Sequence, residues 1–437
     1  MKDKEYISGL LDTALQAIEA DQIEVSFHNQ EMAVTRFANS IIHQNLVKEV
    51  DTFWARVILG KKIGGISIGS ADKEVIREGM RTAYKLTGFQ KEDPHFYSLP
   101  KAVPIEEIEE FYPVSSDERA ECVEKIVKIA KQHNLTAAGV IYNIWNTLGI
   151  ANSLGVKSIG NTAYAVVEVI LMSDDSSGLA THTAKQFSEI NCESLAEIAA
   201  EKVLMGKNPV EIPTGRYTVL LEPRAVAELI GFLAYIGLGA RAYQEGTSFM
   251  KGKIGKKITG DNITIIDDAY HPNAIGFRFD YEGIPKQKVI LIENGVARSV
   301  VYDSYYANKE GKKSTGHATP QPNPWGPYPM HLVLTPGEST IDEMLSSITD
   351  GLLITRFWYT RVVDPDKTLV TGMTRDGTFL VKNGKIAQGI KNMRYTINIL
   401  EALNNVCMVS KECKSISSYV VPTLLIKDFN FTAQLTE

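Results

Sequence analysis

The sequence predicts an α+β fold: two small N-terminal layers of helix and antiparallel meander, then a strand-rich C-terminal domain built around one buried helix. Three observations carry that prediction. Helix-periodic and strand-like runs alternate twice within the first 212 residues. Two Asn-Gly dipeptides further on stand between strand-like runs. A strand rich in β-branched residues, Tyr217 to Leu221, meets Pro223 and passes directly into an apolar helix of about four turns.

In the first layer, residues 1–100, Ile7, Leu10, Leu11, Ala14, Leu15 and Ile18 recur at helical spacing and form one apolar stripe. Strand-like runs follow at Gln22 to Asn29, Met32 to Ala38, Ile41 to Gln44 and Thr52 to Leu59, with Asn39-Ser40 and Gly60-Lys61 as turns. Ile63 to Ile68 closes the meander, its glycines pointing to tight packing or a bulge. Ser70 or Asp72 then caps a helix running to about Leu86. The polar, proline-bearing stretch from Gly88 to Pro113 reads as a linker.

The second layer, residues 114–212, repeats the order: a helix from Ser116 to His133, strands near Ala137 to Asn146, Gly155 to Asn161, Tyr164 to Met172 and Gly178 to Phe187, and a helix from Ser194 to Met205. In the third region, residues 213–437, the helix after Pro223 is apolar around nearly its whole circumference and is predicted to be buried. Asn294-Gly295 and Asn383-Gly384 mark type I′ hairpins, because both residues tolerate the positive φ of that turn. Between these hairpins, Ser314 to Pro336 is a long proline-rich loop carrying His317, Trp325, Tyr328 and His331.

Composition excludes several function classes. The chain has 437 residues, 44% hydrophobic and 22% charged, with a net charge of −6, so disorder is not indicated and no global field draws it to nucleic acid. Lys251, Lys253, Lys256 and Lys257 read as a solvated turn, since their glycines neither follow a strand nor open a phosphate loop. The apolar run at 225–240 is too short to span a bilayer. A polar start, Met1-Lys-Asp-Lys-Glu5, and four cysteines without a disulfide framework point to a reducing cytoplasm, with Cys122 and Cys192 unpaired.

Strand 217–221 and the helix after it resemble the TldD/PmbA family of peptidases. The resemblance extends through Ile265-Ile-Asp-Asp268, Phe279-Asp-Tyr-Glu-Gly283, Leu291-Ile-Glu-Asn-Gly295, Ser314-Thr-Gly316 and Val421-Pro-Thr-Leu-Leu425, in family order. In catalytic members the helix carries His-Glu-x-x-x-His, whose histidines hold zinc. Aligned through Leu-Leu-x-Pro, those positions fall on Gly231, Phe232 and Ile236. None can donate to zinc or activate a water. A register slip does not help, because no histidine lies between His182 and His271. The resemblance therefore implies the PmbA (TldE) branch, with no metal or catalytic residue in this chain and zinc expected in a TldD-like partner.

Catalytic relatives complete their zinc site with a Cys upstream of the last block, and counting back from Pro422 lands on Met408, with Cys407 beside it. One soft donor without its histidines is a poor site, so Cys407 reads as a small buried hydrophobe and only a weak remnant. His317 and Trp325 are candidates for lining the central cavity that the resemblance implies. The other reading of that loop is packing onto its own domain. Asp267, Asp268, Asp280 and Glu282 form an acidic set read as turn caps in preference to a cation site.

Two functions follow as expectations. In one, the chain is the non-catalytic subunit of a cytoplasmic zinc peptidase pair acting on unfolded peptides. The alternative is a homodimer that binds peptides or a partner protein without cleaving anything. Independent hydrolysis through Cys407 or a carboxylate lacks an ordered nucleophile and base.

Overall fold

The computed structural model describes residues 2–105, 112–322 and 325–434. Met1, and parts of the expected linker from Gly88 to Pro113 and of the loop from Ser314 to Pro336, lie outside the described residues. The chain forms two sheets with helices around them, an α+β architecture. The N-terminal part comprises α1 (Lys4–Leu15), β1 (Gln22–Ala38), β2 (Ile41–Leu59), β3 (Lys62–Ile68), α2 (Lys73–Gly88), α3 (Ser116–Gln132), β4 (Thr136–Asn152), β5 (Lys157–Met172), β6 (Ser177–Ala184) and α4 (Cys192–Gly206). Caps define the helix starts: Asp72 accepts from the Glu74 and Val75 amides, and Ser115 with Glu118 forms a capping box.

The two expected N-terminal layers are halves of one antiparallel sheet, ordered β3-β2-β1-β4-β5-β6. β1 pairs with β4 without a break from Glu24↔Asn152 to Phe37↔Gly139. The runs expected as separate short strands, Gln22 to Asn29 with Met32 to Ala38, are one strand. A polar patch such as Asn29-Gln30-Glu31 does not end a strand whose neighbours on both sides supply its hydrogen bonds.

Because side chains alternate across a strand, odd-numbered residues of β1 face the helices. Val25 and Phe27 pack with Ile7, Leu11, Ile76 and Met80 of α1 and α2. Phe37, at the far end of the same face, packs with Ile126 of α3 and Ala199 of α4. Cys122 and Cys192, expected as unpaired thiols, form a disulfide joining these two helices. Seventy residues separate them, a distance over which linear spacing carries no pairing signal.

The C-terminal part comprises β7 (Gly215–Leu221), α5 (Pro223–Gly237), α6 (Ala240–Glu245), β8 (Ile265–Asp267), β9 (Val289–Glu293), β10 (Val296–Ala297), α7 (Ser304–Lys309), β11 (Leu332–Leu334), α8 (Ile341–Ser346), β12 (Asp350–Asp364), β13 (Leu369–Lys382), β14 (Lys385–Gly389), β15 (Met393–Asn398), α9 (Ile399–Asn404), β16 (Val406–Ile416) and β17 (Tyr419–Gln434). Both Asn-Gly hairpins form, Asn294 and Asn383 adopting φ of 48° and 50°. The run Ala297 to Tyr302, expected as a strand, pairs with β9 only at its first residue, and Val301 makes an isolated bridge to Gly239.

Within this sheet, β7, β12, β13, β15 and β17 pair in a ring, since β17 bonds both β15 and β7. A closed ring has no edge to protect. Phe357, Tyr395, Phe429 and Phe431 fill it, with ring centroids 4.3–5.7 Å apart. The apolar side of α5 packs into the same core through Val226, Leu229, Ile230 and Leu233.

The other face of the six-stranded sheet receives residues 277–282. Phe279 packs on Leu148 and Ile150, and its ring leaves no room for a side chain at position 160, where a Cβ would stand 2.9 Å from it. Gly160 is therefore a close-approach glycine.

Candidate functional site

The α5 helix is not buried all round. Arg224, Glu228, Gly231 and Phe232 stay partly accessible, and Tyr235 is 58% exposed. The reason is geometric: the ring needs only one side of the helix, and Phe232 and Tyr235 are apolar residues on the side it does not use. The open stripe thus contains two of the three positions singled out above. The third, Ile236, is buried.

Each position is occupied by packing. A Cβ at Gly231 would lie 3.2 Å from the Tyr419 ring, which stands over the helix at the start of β17. Phe232 packs against the C-terminal core, and Ile236 belongs to it. The Tyr419 hydroxyl lies 3.5 Å from that of Tyr328, and burial pushes the phenol of each up from its ordinary range. These residues do not fit zinc: the position of the first histidine holds an aromatic ring, and the others hold hydrocarbon. Among the described residues no group of three or more His, Cys, Asp or Glu is arranged to hold a metal ion.

Gly231→His is accordingly expected to destabilise the chain by about 1–3 kcal/mol through overpacking against Tyr419, less a few tenths returned by helix propensity. Adding Tyr419→Ala should relieve that overpacking. Thermal unfolding of the single and double variants measures both effects, and an unchanged Gly231→His midpoint would show that the ring moves freely.

Cys407, expected as a buried hydrophobe, is exposed on β16, its thiol 3.5 Å from the Asn405 carbonyl oxygen. A register shift between Val406 and Met408 leaves it without a ladder partner. Cys413, opposite Pro422, is half-buried, and burial pushes its thiol up to about 11. That thiol is protonated at neutral pH and is a poor nucleophile.

Trp325 is 67% exposed and its ring lies 6.1 Å from that of Tyr235, so the loop and the open stripe of α5 share an aromatic surface. His317 is fully enclosed and reaches no open surface of this chain. Its Nε2 lies 2.9 Å from Asp267 Oδ1 and its Nδ1 2.9 Å from Thr315 Oγ1. A carboxylate only accepts, so in the neutral ring Nε2 carries the proton and Nδ1 accepts from the Thr315 hydroxyl. The arrangement resembles a hydroxyl–histidine–carboxylate relay. Its hydroxyl is already engaged by the Tyr302 amide at 2.8 Å and its ring is fully enclosed, which makes it a brace.

Asp267 also accepts from the His331 amide at 2.8 Å. Burial alone would raise its carboxyl, but the His317 hydrogen bond and the charge of Lys286 hold it well below the usual carboxylate range. Burial, with Lys286 next, pushes His331 down to about 3, so this ring stays neutral. Of the acidic set, Asp268 and Asp280 do act as turn caps, accepting from Tyr270 and from Glu282 and Ile284. Glu282 instead accepts from buried Arg56 of β2 at 3.0 Å, a partner 226 positions away that sequence reading could not pair with it.

Residues 214–433 match the PmbA/TldA metallopeptidase C-terminal domain. The chain belongs to the PmbA/TldD metallopeptidase family. Among PmbA/TldD relatives, a metalloprotease TldD homolog of Buchnera aphidicola is 32% identical over 224 residues, covering 51% of this chain and 44% of that protein. An uncharacterized protein of Methanocaldococcus jannaschii is 28% identical over 282 residues, covering 62% and 66%. The matches thus span about half to two thirds of these relatives' lengths. The crystal structure of TldE from Thermococcus kodakarensis shares the fold, with a TM-score of 0.86, 98% of this chain and 100% of that chain covered, at 21% identity.

Proposed function

We propose that this chain is a PmbA/TldE-like, non-catalytic subunit of a zinc metalloprotease acting on unfolded peptides. A TldD-like subunit supplies the zinc and its ligands, and this chain shapes the substrate chamber. The observation that carries the reading is the packing on α5: Gly231 lies under Tyr419, and Phe232 and Ile236 pack as hydrocarbon where catalysis needs two imidazoles and a base. The aromatic surface of Tyr235 and Trp325 beside these positions offers apolar area to a peptide without demanding a sequence. His317 braces that loop, its carbonyl accepting from the Tyr328 amide at 3.1 Å.

We place the subunit in the cytoplasm. No helix among the described residues is long and apolar enough to cross a membrane. The disulfide, its cysteines 4% and 7% exposed, is compatible with that compartment because thiol exchange requires access to a sulfur.

Mixing decides the matter. The purified chain alone is expected to hold no stoichiometric zinc and to leave casein and short peptides uncut. Adding a TldD-like protein from the same source should produce EDTA-sensitive cleavage above that of the TldD-like protein by itself. Zinc-dependent cleavage by the lone chain would overturn the proposal, and peptide binding with no cleavage in any mixture would favour the homodimeric binding protein.

A further inference from the structure

The six-stranded sheet and the C-terminal region meet across a buried layer of carboxylates around one guanidinium. Arg56 Nη2 lies 2.7 Å from Glu24 Oε1 of β1 and 3.0 Å from Glu282 Oε1. Glu282 also accepts from Ser304, from the amide at 2.9 Å and from Oγ at 2.6 Å. Asp303 caps α7 through the Tyr306 amide at 2.8 Å, and Asp280 Oδ2 accepts from the Ala318 amide at 2.8 Å. All five charged groups are between 1% and 7% exposed. Two neighbours complete the surroundings. Lys286 donates to the Gly316 carbonyl at 3.2 Å and feels the charges of both Asp267 and Asp280, and Tyr305 donates to Asp93 at 2.8 Å.

Four carboxylates, Glu24, Asp280, Glu282 and Asp303, therefore share Arg56 and part of the charge of Lys286. Buried acids in such surplus cannot all ionise without large cost. Glu24 Oε2 and Arg56 Nε, moreover, have no hydrogen-bond partner among the described residues. Burial first, and the Glu282 charge next, push Asp280 up to about 7 and Asp303 up to about 8. Burial pushes Glu24 up to about 7, with Arg56 opposing and Glu282 adding to the rise. Near neutrality the layer holds protons.

These acids fasten something specific. Residues 277–282 lie on the sheet through Phe279 and through Tyr281, whose ring meets Trp54 at 5.8 Å. Asp280 holds the amide of Ala318, and the Tyr281 amide donates to the Ala318 carbonyl, so the segment leading to Trp325 hangs from the same layer. We propose that this layer is a proton-operated clasp, which binds residues 277–284 and the aromatic loop to the sheet while its surplus carboxylates are protonated and releases them as those protons leave to solvent. The clasp goes beyond the subunit role and needs neither partner nor peptide. Its direction follows from linkage: acids raised on folding contribute stability that is complete below their unfolded range near 4 and lost as pH rises through 7 to 8.

Hydrogen–deuterium exchange of the full chain at about pH 6 and pH 8.5, corrected for intrinsic base catalysis, tests the clasp. Segments 277–284, 303–310 and that beginning at Ala318 are expected to gain about tenfold in exchange at the higher pH, while α3 gains nothing beyond the correction. Glu24→Gln and Asp303→Asn each remove one negative charge with little change of shape, and Asn preserves the α7 cap. Either should cut the gain about threefold or more. Equal protection of the wild type at both pH values overturns the clasp, as does a full-sized gain in Asp303→Asn, the variant that keeps its cap and carries the test should Glu24→Gln not fold.

Discussion

Arg56→Met is expected to cost about 3–5 kcal/mol of stability near pH 7.5, because it leaves Glu24 and Glu282 buried without the cation they share. The other cation beside the layer, Lys286, is committed to the Gly316 carbonyl and shares its charge with Asp267. The loss should shrink on acidification to about pH 5.5, since the Glu24 carboxyl, pushed up to about 7 by burial, can then take a proton and cease to be a buried charge. Urea unfolding at the two pH values measures this, and an equal loss at both would mean that Arg56 acts by packing alone.

Asp267→Ala should do comparable damage for the opposite charge. It strips the acceptor from His317 Nε2 and from the His331 amide and leaves Lys286 buried beside a void, again about 3–5 kcal/mol. Asp267→Asn, which keeps the shape and one acceptor, should fall between that variant and the wild type in the same unfolding experiment. The pH dependence of this brace runs against that of the clasp. A carboxylate held low contributes stability above its unfolded range and loses it only in strong acid. His331, held at about 3, contributes above the ordinary histidine range near 6.5 and loses that contribution as pH falls towards 3. Between about pH 4 and 6.5 three raised acids outweigh one lowered histidine, so the combined contribution of these groups should be largest near about pH 4 and fall towards pH 8.

Much of the architecture was legible because it rests on local rules. Helix caps such as Asp72, the apolar stripe of α1, the Asn-Gly turns and the strand–Pro–helix entry at Leu221–Pro223 all announce themselves within a few residues. Strand continuity did not, since β1 runs through polar residues whose satisfaction depends on two neighbours remote in sequence. The open stripe of α5 escaped for a related reason: hydrophobicity alone cannot tell a buried face from an apolar face left open. At the candidate site, the chemistry missing from Gly231, Phe232 and Ile236 could be read directly, whereas the Tyr419 ring that covers Gly231 arrives from 188 positions away and carries no local signature. The Arg56–Glu282 pair and the Cys122–Cys192 bond were hidden in the same way.

The shared sheet bears on how this polypeptide is born. When the first hundred residues have left the ribosome, α1 and α2 can already settle on β1, β2 and β3, but the flank of β1 from Glu24 to Phe37 still waits for β4, which ends at Asn152. Until then the nascent chain presents a long row of unsatisfied amides and carbonyls, and its middle strand is competent to pair with the wrong molecule. Synthesis past Asn152 is thus the earliest point at which the amino-terminal half can be safe from its neighbours, and a chaperone that shields this half has its work set by that interval.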